Sequence, residues 1–172
     1  MKKRIILIIM ILIFGLLCFY FGRNLNMENM EGYYIEQGYS FKNPDNWNKT
    51  EELGPLAFVN NSEDNGENPF KSYIFFIKDD LKGRTSEQYF NYIKDQIKSS
   101  SESMEIIEEK GEGSFHIIYI KTVQNEVSYI VGTAFIKGIN DTYLAVSLNT
   151  LESNLDKTKP VFEETYKSFR LR

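Results

Sequence analysis

The chain has 172 residues, with 20 lysines and arginines against 24 aspartates and glutamates, for a formal charge of −4. Its single Cys excludes an internal disulfide framework or a Cys-x-x-Cys site, and its single His excludes a multi-histidine metal centre. Residues 1–27 hold Lys2, Lys3, Arg4 and Arg23 and no acid, which leaves 16 basic and 24 acidic residues and a charge of −8 in 28–172. An acidic body of this kind argues against a nucleic-acid partner, because phosphate contacts need concentrated Lys and Arg.

Residues 1–4 are a basic N-terminus, expected in the cytoplasm. Ile5 to Phe21 is apolar throughout apart from Gly15. As a helix these 17 residues would span about 26 Å, the lower limit for a bilayer core. A cleaved signal peptide has a shorter core, roughly 7–15 residues, and a small-x-small exit. Here the exit reads Cys18-Phe19-Tyr20-Phe21-Gly22-Arg23. A lipoprotein signal would carry a small residue before its Cys, whereas Leu16 and Leu17 precede Cys18. An uncleaved signal anchor at 5–21 is therefore expected. The basic residues before it place the remainder outside the cytoplasm by the positive-inside rule. Cys18 then faces lipid as an apolar filler.

Residues 22–31 are polar and read as a tether to one domain over 32–172. Gly32–Phe41 reads as two extended pieces hinged at Gly38. Asn43-Pro44-Asp45-Asn46 is a turn, and Trp47 follows it. Leu56–Asn60 is a short strand after the Gly54-Pro55 breaker. Asn60–Asn68 has no apolar residue and is a solvated loop. Phe70–Lys78 is a strand. Thr85 with Gln88 forms a capping box, and Tyr89, Phe90, Ile93 and Ile97 then give one helical stripe that ends at Ser99-Ser100-Ser101. Strands follow at Met104–Glu109, Ser114–Val123, Glu126–Lys137 and Thr142–Asn149. They are linked by Gly111-Glu112-Gly113, Gln124-Asn125 and Gly138–Asp141. A last helix runs over Lys159–Phe169, with Pro160 in its first turn.

The strands are apolar on both faces. Tyr73, Phe75 and Ile77 oppose Ile74 and Phe76, and Val127, Tyr129, Val131 and Phe135 alternate with Ile130, Ala134 and Ile136. Both faces therefore need cover. The fold class is α+β: an antiparallel sheet of about six to seven strands with a helix layer on each side. Gly132 marks a close approach or a bulge.

This order, with Gly38-Tyr39-Ser40-Phe41 leading to Pro44-Asp45-Asn46-Trp47 and a closing helix Pro160–Phe169, resembles the PsbP-like family. That family is related in fold to the extrinsic PsbP subunit of photosystem II and to a Ran-binding nuclear import factor. The resemblance covers about residues 33–171. It implies an α/β/α sandwich, a non-enzymatic binding or assembly role, and packing of Trp47 at the end of the sheet.

Chemistry-bearing residues are sparse. His116 lies in a strand, and no Gly-x-Ser-x-Gly elbow accompanies it. Gly111-Glu112-Gly113 has an acid where a phosphate loop would not. Glu63, Asp64 and Glu67 offer oxygen ligands for calcium but lack EF-hand spacing, so a solvated loop is the expectation. No cofactor is expected. Trp47 and Tyr39 are the candidates for an interaction surface, in a body rich in Phe and Tyr. The reading is a non-catalytic, single-pass, extracytoplasmic module of a bacterial cell envelope, for binding or assembly, whose partner is an envelope protein or a small ligand. The alternatives are a small-ligand carrier with an aromatic-lined pocket and an envelope hydrolase using a carboxylate pair.

Overall fold

The computed structural model describes residues 33–36, 39–51, 56–61, 70–100, 104–138 and 142–171. The apolar run 5–21, the tether 22–31 and the loop with Glu63, Asp64 and Glu67 lie outside them. Among the described residues no helix is long and apolar enough to cross a membrane.

The strands are β1 (Tyr33–Glu36), β2 (Tyr39–Lys42), β3 (Asn48–Thr50), β4 (Ala57–Val59), β5 (Tyr73–Asp80), β6 (Met104–Glu112), β7 (Phe115–Gln124), β8 (Val127–Lys137), β9 (Thr142–Leu151) and β10 (Arg170–Leu171). The helices are α1 (Ser86–Ser100) and α2 (Leu155–Lys167). The main sheet has seven antiparallel strands in the order β3-β4-β5-β9-β8-β7-β6, and a second sheet has the order β1-β2-β10. The two pieces around Gly38 do form strands, but in this small sheet and not in the main one.

The predicted two-sided pattern is what β7, β8 and β9 use, whereas in β5 Ile74 is buried toward α2 but Ile77 on the opposite face is 46% exposed, because α1 does not reach over it. Ile118 and Ile120 of β7, Phe135 of β8 and Tyr143 and Ala145 of β9 face α1, where Tyr89 and Phe90 are buried and Ile93 and Ile97 half-buried. Ile117, Tyr119, Ile130, Ala134, Val146 and Leu148 face the other way, onto Phe162 and Tyr166 of α2. Each large side chain buried in this manner contributes about 1.5–3 kcal/mol. The small sheet extends the α2 layer. Tyr39, Phe41 and Phe169 pack with Leu56, Phe58, Ile136 and Leu144, and the Phe41 and Phe76 rings stack at 3.8 Å.

Local chemistry sets the ends. The Thr85 N–H donates to Gln88 Oε1 (2.9 Å) and the Gln88 N–H to Thr85 Oγ1 (3.2 Å), the reciprocal capping box. The β7–β8 turn is Asn125-Glu126, both at positive φ (50° and 67°), one residue later than expected. α2 begins at Leu155, four residues before the expected start. Pro160 therefore lies inside the helix and leaves the Asp156 carbonyl without its helical donor. The early turn was hidden because its buried residue is Thr158, whose hydroxyl donates back to the Asn154 carbonyl at 3.0 Å.

Gly132 on β8 makes room for the ring of its cross-strand partner, Tyr119 on β7. A Cβ there would lie 2.7 Å from Tyr119 Cε1 and 2.9 Å from Cδ1, on a ring only 1% exposed. Gly132→Ala should lower the unfolding free energy by about 1–3 kcal/mol through overpacking. Urea unfolding reads this, and Tyr119→Val in the same chain should recover part of the loss, since the two sites share one contact.

Candidate functional site: the ion-paired face of the last helix

The titratable groups of the domain gather where α2 lies over the edge strand β6. A bulge starts this arrangement. Ile106 pairs with Ile120 and Glu108 with Tyr119, so Ile107 is the extra residue and is exposed. The bulge keeps Ile106 against the α1 core and turns Glu108 and Lys110 toward α2. Glu109 faces the other helix, pairing with Lys94 at 2.9 Å.

On the α2 side the charges form an alternating chain. Lys159 Nζ is 2.8 Å from Glu108, which is 3.3 Å from Lys110 Nζ. Lys110 reaches Glu163 (3.2 Å), Glu163 reaches Lys167 (3.2 Å), and Lys167 reaches Glu112 (3.1 Å). The Tyr166 hydroxyl donates to Glu112 Oε2 at 2.8 Å. Lys42 of β2 continues the row along α2, 2.6 Å from Glu164 and 2.8 Å from Asp45. Its backbone N–H donates to Ser168 Oγ (2.8 Å), which donates to the Thr165 carbonyl.

The ionisation shifts follow this geometry. The Lys159 hydrogen bond holds Glu108 below the usual carboxylate value despite partial desolvation. The Tyr166 hydroxyl, then Lys167, does the same for Glu112. Burial pushes Glu163 up, but Lys167 and Lys110 together outweigh it and leave it lowered. Desolvation pushes Lys110 down, and Glu163 with Glu108 outweighs it to raise the amine. Tyr119 lies beneath this row, with Lys159 Nζ 4.4 Å from its ring centre. Its phenol is raised by burial first and then by Glu163, Glu108 and Glu112. Its hydroxyl is buried without a hydrogen-bond partner.

An open groove of about 560 Å³ runs along the same face, lined by Lys42, Pro160, Glu163, Glu164, Lys167 and Ser168. Its lysines and glutamates are matched to one another by the ion pairs above. The four described glutamates with displaced pKa values, Glu108, Glu112, Glu152 and Glu163, are all displaced downward. A carboxylate pair working as acid and base needs one member raised, and these groups do not supply it. Among the described residues, the sheet faces toward α1 and α2 hold packed aliphatic and aromatic side chains. The α2 face thus presents a fixed mosaic of paired charge.

Tyr39 is 9% exposed and stacks on Phe169 at 5.4 Å. Trp47 is half-buried and packs against the two clusters on the α2 side. His116 is half-buried, its ring 4.8 Å from that of Phe90. Among the described residues no group of three or more His, Cys, Asp or Glu could hold a metal ion. Sequence reasoning missed the ion-pair row, because the partners that join β6 to α2, Lys159–Glu108, Lys110–Glu163 and Lys167–Glu112, stand 51, 53 and 55 positions apart. The one available signal was the alternation Glu108, Lys110, Glu112 on an edge strand. It also missed a buried hydroxyl cluster: Ser72 to Thr150 at 2.7 Å and Thr158 to Thr150 at 3.3 Å.

A seven-stranded antiparallel sheet with a helix on either face is an α/β sandwich. Its particular form is the PsbP/Mog1 fold. The Ran-binding protein Mog1p of Saccharomyces cerevisiae superposes with a TM-score of 0.54 at 14% identity, covering 78% of this chain and 90% of its own. Cyanobacterial PsbP of Synechocystis gives 0.51 at 16%, covering 81% and 91%. LpqN of Mycobacterium tuberculosis, described as involved in cell envelope biogenesis, gives 0.61 at 11%, covering 80% and 87%. No family model matches the chain, and no curated protein matches it in sequence.

Two measurements test the site. The three lowered carboxyls of the row ionise at lower pH folded than unfolded. Their stabilisation is complete above the unfolded glutamate value, about 4.3, and is lost as pH falls through the folded values. Glu163→Gln should cost up to about 1 kcal/mol at neutral pH, and urea titrations at decreasing pH should show that difference closing toward zero. Tyr119→Phe should raise stability by up to about 1 kcal/mol, because it removes a buried donor that has no acceptor. A clear loss in thermal unfolding would show that the hydroxyl is bonded.

Proposed function

We propose that this chain is a non-catalytic binding or assembly module, anchored by residues 5–21 in a bacterial cytoplasmic membrane with its sandwich domain on the outer side. The observation that carries the reading is a packed sandwich whose charged groups along α2 are paired with one another, so that recognition falls to surface shape and charge. The 17-residue apolar run behind Lys2, Lys3 and Arg4 supports the address. The likeness in fold to LpqN, whose description places it in envelope biogenesis, is consistent with an envelope role. The groove along α2 and the adjoining β6 edge is the surface assigned to the partner, an envelope protein that meets alternating charge with alternating charge. Such matching selects the partner and its register more than it adds affinity.

Protease added to intact cells should remove the domain and spare a membrane-bound fragment of residues 1–31. Protection of the domain until the cells are lysed would reverse the orientation. Crosslinking in live cells from position 164, on the exposed rim of the groove, should capture one envelope protein, and reversal of Lys42 and Lys167 to Glu should abolish that product.

A further inference from the structure

The last described strand reverses the local charge of the domain. Residues 167–172 hold Lys167, Arg170 and Arg172 and no acid, in a body that is otherwise acidic. Arg170 and Leu171 form β10, paired to β2 through Arg170↔Ser40 and Leu171↔Tyr39. Both are exposed, Leu171 to 44%. Lys167 is matched by Glu112 and Glu163. No acid pairs with Arg170 among the described residues. Its guanidinium donates to the Lys167 carbonyl (2.8 Å) and the Phe169 carbonyl (2.7 Å), which fixes its position without cancelling its charge. An exposed leucine thus stands between two arginines in the sequence.

The position of this strand gives the charge a target. β10 belongs to the same small sheet as β1, with β2 between them. β1 is where the chain enters the domain after the apolar run. At a strand spacing of about 4.8 Å, β10 lies roughly 10 Å across the sheet from β1. Eleven residues, 22–32, separate the run from Tyr33, and fully extended they reach at most about 36 Å. An anchored domain therefore meets its own bilayer at high effective concentration, with the small sheet close to the point of attachment.

We propose that β10 docks on anionic phospholipid headgroups of the leaflet in which the chain is anchored. Arg170 is the headgroup contact, Arg172 adds its charge, and Leu171 enters the interface. Guanidinium groups suit phosphate oxygens, and one apolar side chain between two cations is the composition of an interfacial contact. The acidic remainder of the domain is repelled by the same surface, so the contact also sets which face points away from the membrane. The inference rests on the anchored reading above.

The test uses the full chain with Cys18→Ser and Leu171→Cys, carrying an environment-sensitive fluorophore at position 171. It is reconstituted into phosphatidylcholine vesicles with or without one-third phosphatidylglycerol. On the anionic vesicles the emission should shift to the blue and rise about twofold, and return near ~1 M salt, where the screening length falls to about 3 Å. Arg170→Glu with Arg172→Glu should abolish the change with the circular dichroism unaltered. A label at Asn91→Cys, on the exposed side of α1, should not respond. Equal emission on both vesicle types, from a chain that floats with the vesicles, overturns the docking and leaves the anchor standing. A chain left behind when the vesicles float overturns the anchor, and the docking falls with it.

Discussion

The long strands β7, β8 and β9 carry apolar side chains on both faces, and water must be kept from both. A sheet of this kind cannot stand alone or lie open on one side. Every other element answers that demand. α1 supplies Tyr89, Phe90, Ile93 and Ile97 to one face. The other receives α2 and, beside it, the small sheet with Tyr39, Phe41 and Phe169. The cover is unequal in kind: one helix on one side, a helix and a three-stranded sheet on the other. Gly132 belongs to the same requirement. Without a side chain there, the Tyr119 ring can lie flat across β8 and still meet Phe162 at 6.1 Å.

The ion-pair row is secondary to this packing in energy and primary in position. Its members are a fifth to nearly half exposed, so solvent screens each pair and leaves it a weak contribution. Phe162 and Tyr166, fully buried, hold α2 down by more than the row could. What the row fixes is register. Lys159, Glu163 and Lys167 repeat at four-residue spacing along α2 and meet Glu108, Lys110 and Glu112 at two-residue spacing along β6. A slide of either element by one residue would break every contact. The bulge at Ile107 is what puts the β6 charges in phase, and together with those charges it discourages another strand from adding to that edge.

Legibility in the sequence tracked the range of the interaction. The capping box at Thr85 and Gln88, the helical stripe through Ile97 and the alternation in β8 are all local patterns, and each reappears as drawn. The resemblance in element order led to the same sandwich. β3 and β10 were not legible, because Asn48-Lys49-Thr50 and Arg170-Leu171 become strands only through partners elsewhere in the chain. The early turn of α2 was concealed by Thr158, a buried residue that is polar yet satisfied by Asn154 and Thr150. The charged row was invisible for the same reason as the hydroxyl cluster: both join layers whose contact is a property of the fold. Nothing local in the sequence shows that Tyr39 stacks on Phe169 while Trp47 stays half-buried.

The sandwich is shared at 11% to 16% identity with proteins whose descriptions have nothing else in common. Such a fold tolerates wholesale exchange of residues provided that both sheet faces remain apolar and both layers remain in register. Identity of function must then reside in what the packing leaves free: the rims, the edge strands and the chain ends. In this chain those parts are unusually differentiated. The α2 face carries cations and anions in strict alternation, β10 carries Arg170 beside an exposed leucine, and the body as a whole is acidic. A freely diffusing domain could turn any of these toward a partner. Under the anchored arrangement proposed above a short tether would not allow this, because the bilayer would occupy one side and repel most of the surface. Anchoring and charge together would then reduce the orientations open to the domain, and the role proposed for the α2 face would be exercised only in that restricted frame.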